Sequence, residues 1–398
     1  MFKFKQQFKR WATRRMGWPY LILTMRRAWF KEFKRLQYAE PQPVENLEFV
    51  WLSELEKRGS RRIEVREIYP PCRAIAPDER AWPAAVARKW QNKTRPLLPA
   101  AIVMLMSEGL VLRQGGIAGP DEQTFLEDIA SEGCRVAHFS RAVEQQLAQG
   151  ERERLDALCT PLCNLMKFDN YFDWLLQTFP RLHLLQRAGC FEAIERFLIP
   201  MPLSGYMRET VGYLKLPPER LHLMAPVTRC RDLVVASTPC GGEHTDPWVV
   251  DFLREAVPRA DDAPRHEKIY VYRGETTRRR CVNEAALMER LQSLGFAIVE
   301  PGRMSVSQQA ACFDAAKVVV GVHGAALANF AFCRPGTRVV ELMPANYIAF
   351  FFANLAAAAG CEYRLVVGRE PSLAATVRVG ISAADLRVDV DEVCRALS

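Results

Sequence analysis

The sequence lacks most of the short signatures that assign a chain to a class quickly. No apolar run approaches the roughly 20 residues that span a bilayer, and there is no Walker lysine loop, no G-x-G-x-x-G after a strand, no H-E-x-x-H and no G-x-S-x-G elbow. These absences count against a membrane-spanning chain, ATP hydrolysis, nicotinamide chemistry, zinc proteolysis and ordinary serine hydrolysis. The opening stretch MFKFKQQFKRWATRRMGW has neither the apolar core nor the cleavage site of a secretory signal, so a cytoplasmic location is expected. Twelve cysteines are scattered from Cys72 to Cys394 without a C-x-x-C pair, and only Cys159 and Cys163 suggest a local pair. Thiols spaced this way read as reduced core residues rather than metal ligands. Histidine is scarce, six in 398 residues, which gives weight to any histidine at a special position.

What is present is ordinary for a globular protein, with 49% hydrophobic and 25% charged residues. Single cores mostly stop growing near roughly 250 residues, so two domains are expected, as residues 41–258 and 259–398 behind an N-terminal arm of residues 1–40. The net charge of +8 is concentrated in that arm. Residues 1–36 hold 11 Lys or Arg against the single acid Glu32, leaving 43 basic and 45 acidic residues in the rest of the chain. Interleaved with Trp11, Trp18, Trp29, Phe30 and Phe33, this basic amphipathic arm has the composition of an interfacial helix on an anionic membrane surface. A solvated helix packed on its own protein has the same composition. Nothing downstream resembles a nucleic-acid module, so no nucleic-acid partner is expected.

Along the body, residues 99–116 read as two apolar strands around a Glu108-Gly109 turn. A helical pattern runs from Tyr171 to Arg187 and stops at Gly189, with Pro180 expected to kink or end it. Strand, helix, strand and strand signals then follow as far as Ser237, and a helix begins at Trp248. After residues 258–264 four apolar strands, KIYVYR (268–273), FAIVE (296–300), VVVGV (318–322) and RVVEL (338–342), alternate with helices through short links. Asn283 is expected to cap the first of these helices and Ser305 the next. That alternation predicts a doubly wound parallel sheet, whose ligands bind beyond the carboxyl ends of the strands.

The informative residues are therefore those just after each strand. VVVGVHGAAL leads from a buried strand through His323 and Gly324 into a helix start, whose free N–H groups suit a phosphate. A tight turn with glycines serving packing alone is the alternative. Arg273 ends the first strand and Arg278, Arg279 and Arg280 precede the Asn283 cap, where a guanidinium fork suits a diphosphate without calling for a metal. Two of those three consecutive arginines also read as solvated loop. Glu341 is placed either to accept from ribose hydroxyls or to face outward from its strand. In the first half Asn170-x-x-Asp173 has the spacing of a capping box, while a carboxylate beside Trp174 equally suits a general base. Asp389-x-Asp391 looks like an acidic metal pair but reads better as a solvated edge.

Taken together, R-x6-R-x2-N-E (Arg273, Arg280, Asn283, Glu284), G-F-x-I-V (Gly295 to Val299), S-x3-Q (Ser305, Gln309), H-G-A-A-L-x-N followed by P-G-T and V-V-E-L, and N-Y-F-x-W-L-L ahead of them resemble glycosyltransferase family 61. Bacterial members of that family are often labelled capsular polysaccharide biosynthesis proteins. The resemblance covers about Asn170 to Leu342. It implies a GT-B-like α/β fold, two Rossmann-like doubly wound domains facing across a cleft, with a nucleotide-sugar donor, often uridine-diphosphate-linked, on the C-terminal one. It further implies inverting transfer to a glycan acceptor without an obligatory metal or other cofactor. Asp173 and His323 would be catalytic. Asn170, Arg273, Arg280, Asn283, Gly324, Ala325, Ala326, Asn329 and Glu341 would bind substrate, with His323, Arg273 and Arg280 on the diphosphate and Glu341 on the ribose. The chain departs from the family at Asp173, where many relatives carry histidine, and at Gln308, where an acidic residue is usual. A non-catalytic glycan- or nucleotide-binding subunit remains the alternative, followed by a Rossmann enzyme that uses another nucleotide.

Overall fold

The computed structural model describes residues 48–50, 63–78, 82, 86, 97–113, 116–119, 124–126, 147, 151–162, 169–239, 243–345, 347–369 and 385–397. The basic arm lies outside the described residues, as does Cys163. Among the described residues no helix is long and apolar enough to cross a membrane, and the cysteines are free.

The first half is built on a mixed sheet. Its strands are β1 (Glu48–Val50), β2 (Ile63–Tyr69), β5 (Ala101–Ser107), β6 (Leu110–Leu112), β7 (Ile117–Ala118), β8 (Thr124–Leu126), β9 (Arg152–Pro161), β10 (Arg196–Ile199), β11 (Leu221–Leu223) and β12 (Val227–Ala236), with β3 (Cys72–Arg73) and β4 (Leu97–Leu98) forming a separate ribbon. Strands β12, β9, β10 and β11 run parallel in that order, whereas β5 and β6 lie antiparallel to β12. A purely parallel first domain is therefore not what forms.

The expected hairpin at Glu108-Gly109 does not form, and the two strands run on in line instead. Ser107 pairs with Asp232 and Leu110 with Arg229, so β5 and β6 keep one register along β12. Between them the Glu108 N–H bonds to the Arg231 carbonyl at 2.8 Å. Gly109 is explained by packing rather than turning, because a Cβ there would lie 2.7 Å from Leu233 Cδ2.

Pro180 likewise does not end its helix. After α1 (Tyr171–Asp173) the chain opens into a π turn, Trp174–Thr178, in which the Phe179 N–H reaches back to the Trp174 carbonyl, and α2 (Phe179–Arg187) continues from there. Proline supplies no N–H to a helix, and the wider spacing just before it lets the rod pass. Helices α3 (Gly205–Tyr213) and α4 (Pro247–Ala256) also belong to this half.

The second half holds the expected parallel sheet. Its strands are β13 (Lys268–Val271), β14 (Ala297–Val299), β15 (Val318–Val322), β16 (Arg338–Pro344) and a fifth, β17 (Glu362–Gly368), in the order β14-β13-β15-β16-β17, all parallel. Helices α5 (Glu284–Ser293), α6 (Val306–Ala315) and α7 (Phe351–Ala358), with a 3-10 helix at Ala325–Phe332 and α8 (Val390–Arg395), surround it. The direction of winding reverses between β13 and β15, and that switch point is where such sheets open a crevice. Ser305 caps α6 in a full capping box with Gln308. Asn283 occupies the cap position of α5, but its side chain makes no capping bond there. It instead holds Val388, accepting from its N–H at 3.1 Å and donating to its carbonyl at 2.9 Å.

Alternation along the strands divides the core. Tyr270, Val320, Val340 and Leu342 pack on one face with Leu287 and Leu291 of α5. Ile269, Val271, Val319 and Val339 pack on the other, in a cluster that continues through Trp174, Phe179, Phe252 and Phe330 to Val103, Val234 and Ala236 of the first sheet. One apolar layer thus joins the two sheets.

Candidate active site

The switch point brings two of the sequence-flagged loops together. Arg273 follows β13, and its guanidinium donates to the Arg278 and Arg279 carbonyls at 3.2 and 3.3 Å and to Thr276 Oγ1 at 3.3 Å. No described carboxylate lies within 4 Å of it to form an ion pair. Burial, reinforced by the neighbouring Arg279 charge, lowers its pKa to about 10. Gly324, at the start of the 3-10 helix, lies directly against this arginine, and a Cβ there would sit 2.8 Å from Arg273 Nε. Gly274 has φ +62 and would bring a Cβ equally close to Glu300 Oε1. Glycine at both positions therefore lets loop backbone approach charged side chains.

The second cation at this point is Arg279, not Arg280. Arg279 Nε donates to the His323 carbonyl at 3.0 Å, and its guanidinium lies 5.8 Å from the centre of the Tyr347 ring. Burial lowers its pKa as well, partly opposed by Tyr347. Arg280 turns away and pairs with Asp385 at 2.7 and 3.1 Å. Asp385 also takes the Arg280 N–H, at 2.9 Å.

His323 is 5% exposed, and Glu341 not at all. The two are joined by a short hydrogen bond between His323 Nδ1 and Glu341 Oε1. The other carboxylate oxygen of Glu341 accepts from the Tyr363 hydroxyl at 2.5 Å. Glu341 is thus neither an outward-facing strand residue nor exposed toward a ribose. The His323 ring meets Tyr347 and Phe352 edge-on, with centroids 5.3 and 5.1 Å away. Burial raises the Tyr347 phenol above its ordinary value; Arg279 opposes this, and Glu243, Glu341 and Asp173 add to it. Acids from the first half therefore come within electrostatic range of the ring that packs on His323.

Asp173 reaches that position from the first turn of α1. Asn170 caps the turn, its Oδ1 accepting from the Phe172 and Asp173 N–H groups at 3.0 and 3.3 Å, as its spacing predicted. Glu243, unremarked in the sequence, accepts from the Phe350 N–H at 3.1 Å just beyond the carboxyl end of β16. Asn329 lies away from solvent. It is fully buried, accepts from the Tyr171 hydroxyl at 2.8 Å and donates to Gln309 Oε1 at 2.7 Å and to the Ala326 carbonyl at 2.9 Å. It ties α1 to the second half. Beside it Glu209 of α3 accepts from the Val306 and Ser307 N–H groups at 2.9 and 3.1 Å, a second cap on α6. Asp389 caps α8, its Oδ1 accepting from the Asp391 N–H at 3.0 Å, which gives that acidic pair a structural use.

Arg273, His323 and Gly324 with the adjoining Ala325 and Ala326 therefore lie together, and Asp173 comes within electrostatic range of Tyr347, the ring beside His323. Arg280, Asn283 and Asn329 are engaged elsewhere. Arg279, Tyr347, Tyr363 and Glu243 are additions that only the fold reveals, although the run of three arginines already pointed at the loop. The arrangement puts two partly buried guanidinium groups at a helix start, with acids of the first half within electrostatic range of the adjoining Tyr347. Such a site suits an anionic leaving group on one side and a proton acceptor on the other.

The family model that matches the chain is Glycosyltransferase 61, over residues 171–340. The match begins in α1 and ends in β16, one residue before Glu341. No curated protein matches the chain.

Proposed function

As residues 171–340 match the family model of glycosyltransferase 61, we propose that the chain is a member of that family, an inverting glycosyltransferase that takes a sugar from a nucleotide-diphosphate donor, uridine-linked, and gives it to a glycan acceptor in capsular, exopolysaccharide or lipopolysaccharide synthesis. The observation that carries this reading is the partly buried Arg273 guanidinium, which lies beside Arg279 with no carboxylate as its ion-pair partner among the described residues. A buried cation without a counter-ion is costly, and a bound anion offsets that cost. The diphosphate of a nucleotide sugar has the charge for two guanidinium groups and one imidazole, and the start of the 3-10 helix adds N–H donors.

In this reading the acceptor oxygen attacks the anomeric carbon from the side opposite the diphosphate. Asp173 takes the hydroxyl proton as the new C–O bond forms, and the bond to the diphosphate oxygen breaks with its electron pair. The charge left there is met by Arg273, Arg279 and His323. These groups already supply positive charge, so donor binding needs no obligatory metal. The basic arm, residues 1–36, would hold the enzyme on the cytoplasmic face of an anionic membrane, next to a lipid-linked or growing glycan. Deleting the arm then abolishes sedimentation with anionic vesicles and spares donor binding.

Calorimetry with UDP, GDP and CDP, with and without divalent cation, tests the donor site. The expected result is metal-independent binding of one nucleotide, weakened by His323→Ala. Asp173→Asn tests the base. Loss of turnover with donor affinity kept supports it, whereas an unaltered protein that binds nucleotide but turns over no acceptor supports a non-catalytic binding subunit.

A further inference from the structure

Glu341 and Tyr363 are both buried beside the proposed donor site. Glu341 has no exposed surface, and its two carboxylate oxygens are taken up by His323 Nδ1 and the Tyr363 hydroxyl. The three groups come from three neighbouring parallel strands or their ends. His323 follows β15, Glu341 lies in β16, and Tyr363 lies in β17, two positions before the register partner of Glu341, Leu365. Tyr363 stays a phenol, and hence a donor, because burial and the Glu341 charge both raise its pKa. The carboxylate therefore accepts from both neighbours.

The consequence falls on His323. Its main chain is fixed at both ends, the N–H on the Leu342 carbonyl at 2.9 Å and the carbonyl under Arg279 Nε at 3.0 Å. Tyr347 and Phe352 close on the ring. With Nδ1 committed to Glu341, Nε2 has no partner among the described residues, and the side chain keeps 6% exposure. Which nitrogen of a histidine meets a ligand is set by the bond the other one makes.

We infer that Glu341 and Tyr363 are positioning residues that hold the proton on His323 Nδ1 and turn Nε2 toward the diphosphate of the donor. This rests on the donor-site reading above and assigns Glu341 a different task from contact with the ribose. In the free protein the ring carries its proton at Nδ1. Donation to a phosphate oxygen then requires a second proton on Nε2, taken up as the diphosphate binds. Tyr363 acts one step further back, by keeping the Glu341 carboxylate facing the ring.

The test is nitrogen NMR on the full chain with labelled histidine, the His323 signals being assigned by their loss in His323→Ala. In the unaltered protein the expected pattern has the proton on Nδ1, with protonation of Nε2 on adding UDP. Glu341→Gln should redistribute the proton and weaken UDP binding by about tenfold, the scale on which a supporting carboxylate acts through the histidine it orients. Tyr363→Phe keeps the ring in the core, shifts the same signals by less and weakens UDP less, so the inference stays testable where Glu341→Gln fails to fold. A proton on Nε2 with a bare Nδ1 in the unaltered protein overturns the inference, and so does a Tyr363→Phe protein with unchanged His323 signals and UDP affinity. If no nucleotide diphosphate binds the unaltered protein, the donor-site reading itself falls, a result distinct from either.

Discussion

The carboxyl edge of the second sheet and the junction between the two halves are both buried and polar, and they are satisfied in opposite ways. At the junction Asn329 engages Tyr171, Gln309 and Ala326, and Glu209 takes two free N–H groups of α6. At the sheet edge Arg273 finds only carbonyls and a hydroxyl, and His323 leaves one nitrogen unused among the described residues. Buried polar groups in folded proteins are almost always paired, so a fully paired cluster explains itself by stability. Arg273, which lacks a counter-ion among the described residues, is instead the ground for the proposed anion site. The same contrast separates two arginines seven residues apart, Arg273 in the pocket and Arg280 on Asp385.

The sharpest test of the comparison is Asn329→Ala. It orphans the Tyr171 hydroxyl and the Gln309 side chain, each costing roughly 1–3 kcal/mol. A loss of about 4 kcal/mol in denaturant unfolding is expected, with nucleotide affinity in the surviving folded fraction unchanged. Arg273→Ala should do the reverse. Affinity for the nucleotide diphosphate falls by about a hundredfold, the scale of charge-assisted hydrogen bonds, while the unfolding midpoint holds or rises. If Arg273→Ala instead unfolds the protein at unchanged affinity, the contrast between the regions is gone.

Asp246 marks where the rule could break. It is 5% exposed, its Oδ1 has no hydrogen-bond partner among the described residues, and burial raises its carboxyl from 3.8 to about 7 against a hydrogen bond from Trp248. The folded chain keeps this proton where the unfolded chain has released it, so stability falls as pH rises from about 4 to about 7. The penalty is fully present above that window. Asp246→Asn should flatten the slope and raise stability at pH 8 by about 2 kcal/mol, read from unfolding curves across the window. Loss of nucleotide binding in that variant would extend the proposed donor site to the start of α4. The smallest effect is expected from Arg280→Ala, an exposed ion pair of little worth, which should leave both melting temperature and nucleotide affinity unchanged within error.

How much of this was legible beforehand depends on the range of the interaction. Strands β13 to β16, the capping of α6 and the place of His323 and Gly324 at a strand exit follow from local period, caps and turn chemistry. The hairpin read at Glu108-Gly109 failed because glycine carries the same signal whether it turns the chain or makes room for Leu233. Pro180 does not end its helix, because a π turn just before it absorbs the missing donor. Asn283 has a cap's spacing but spends its amide on Val388, 105 residues away.

By itself, then, the sequence determined the parallel sheet, the edge of it proposed to bind the donor and the family signature, since each of these rests on residues within a few positions of one another. Only the tertiary structure decided that Arg279 rather than Arg280 joins Arg273, that Glu341 faces His323 and Tyr363, and that Asn329 fastens the halves together. Those outcomes turn on which side chains strand order and packing bring within hydrogen-bonding distance, and a one-dimensional pattern carries no record of that distance.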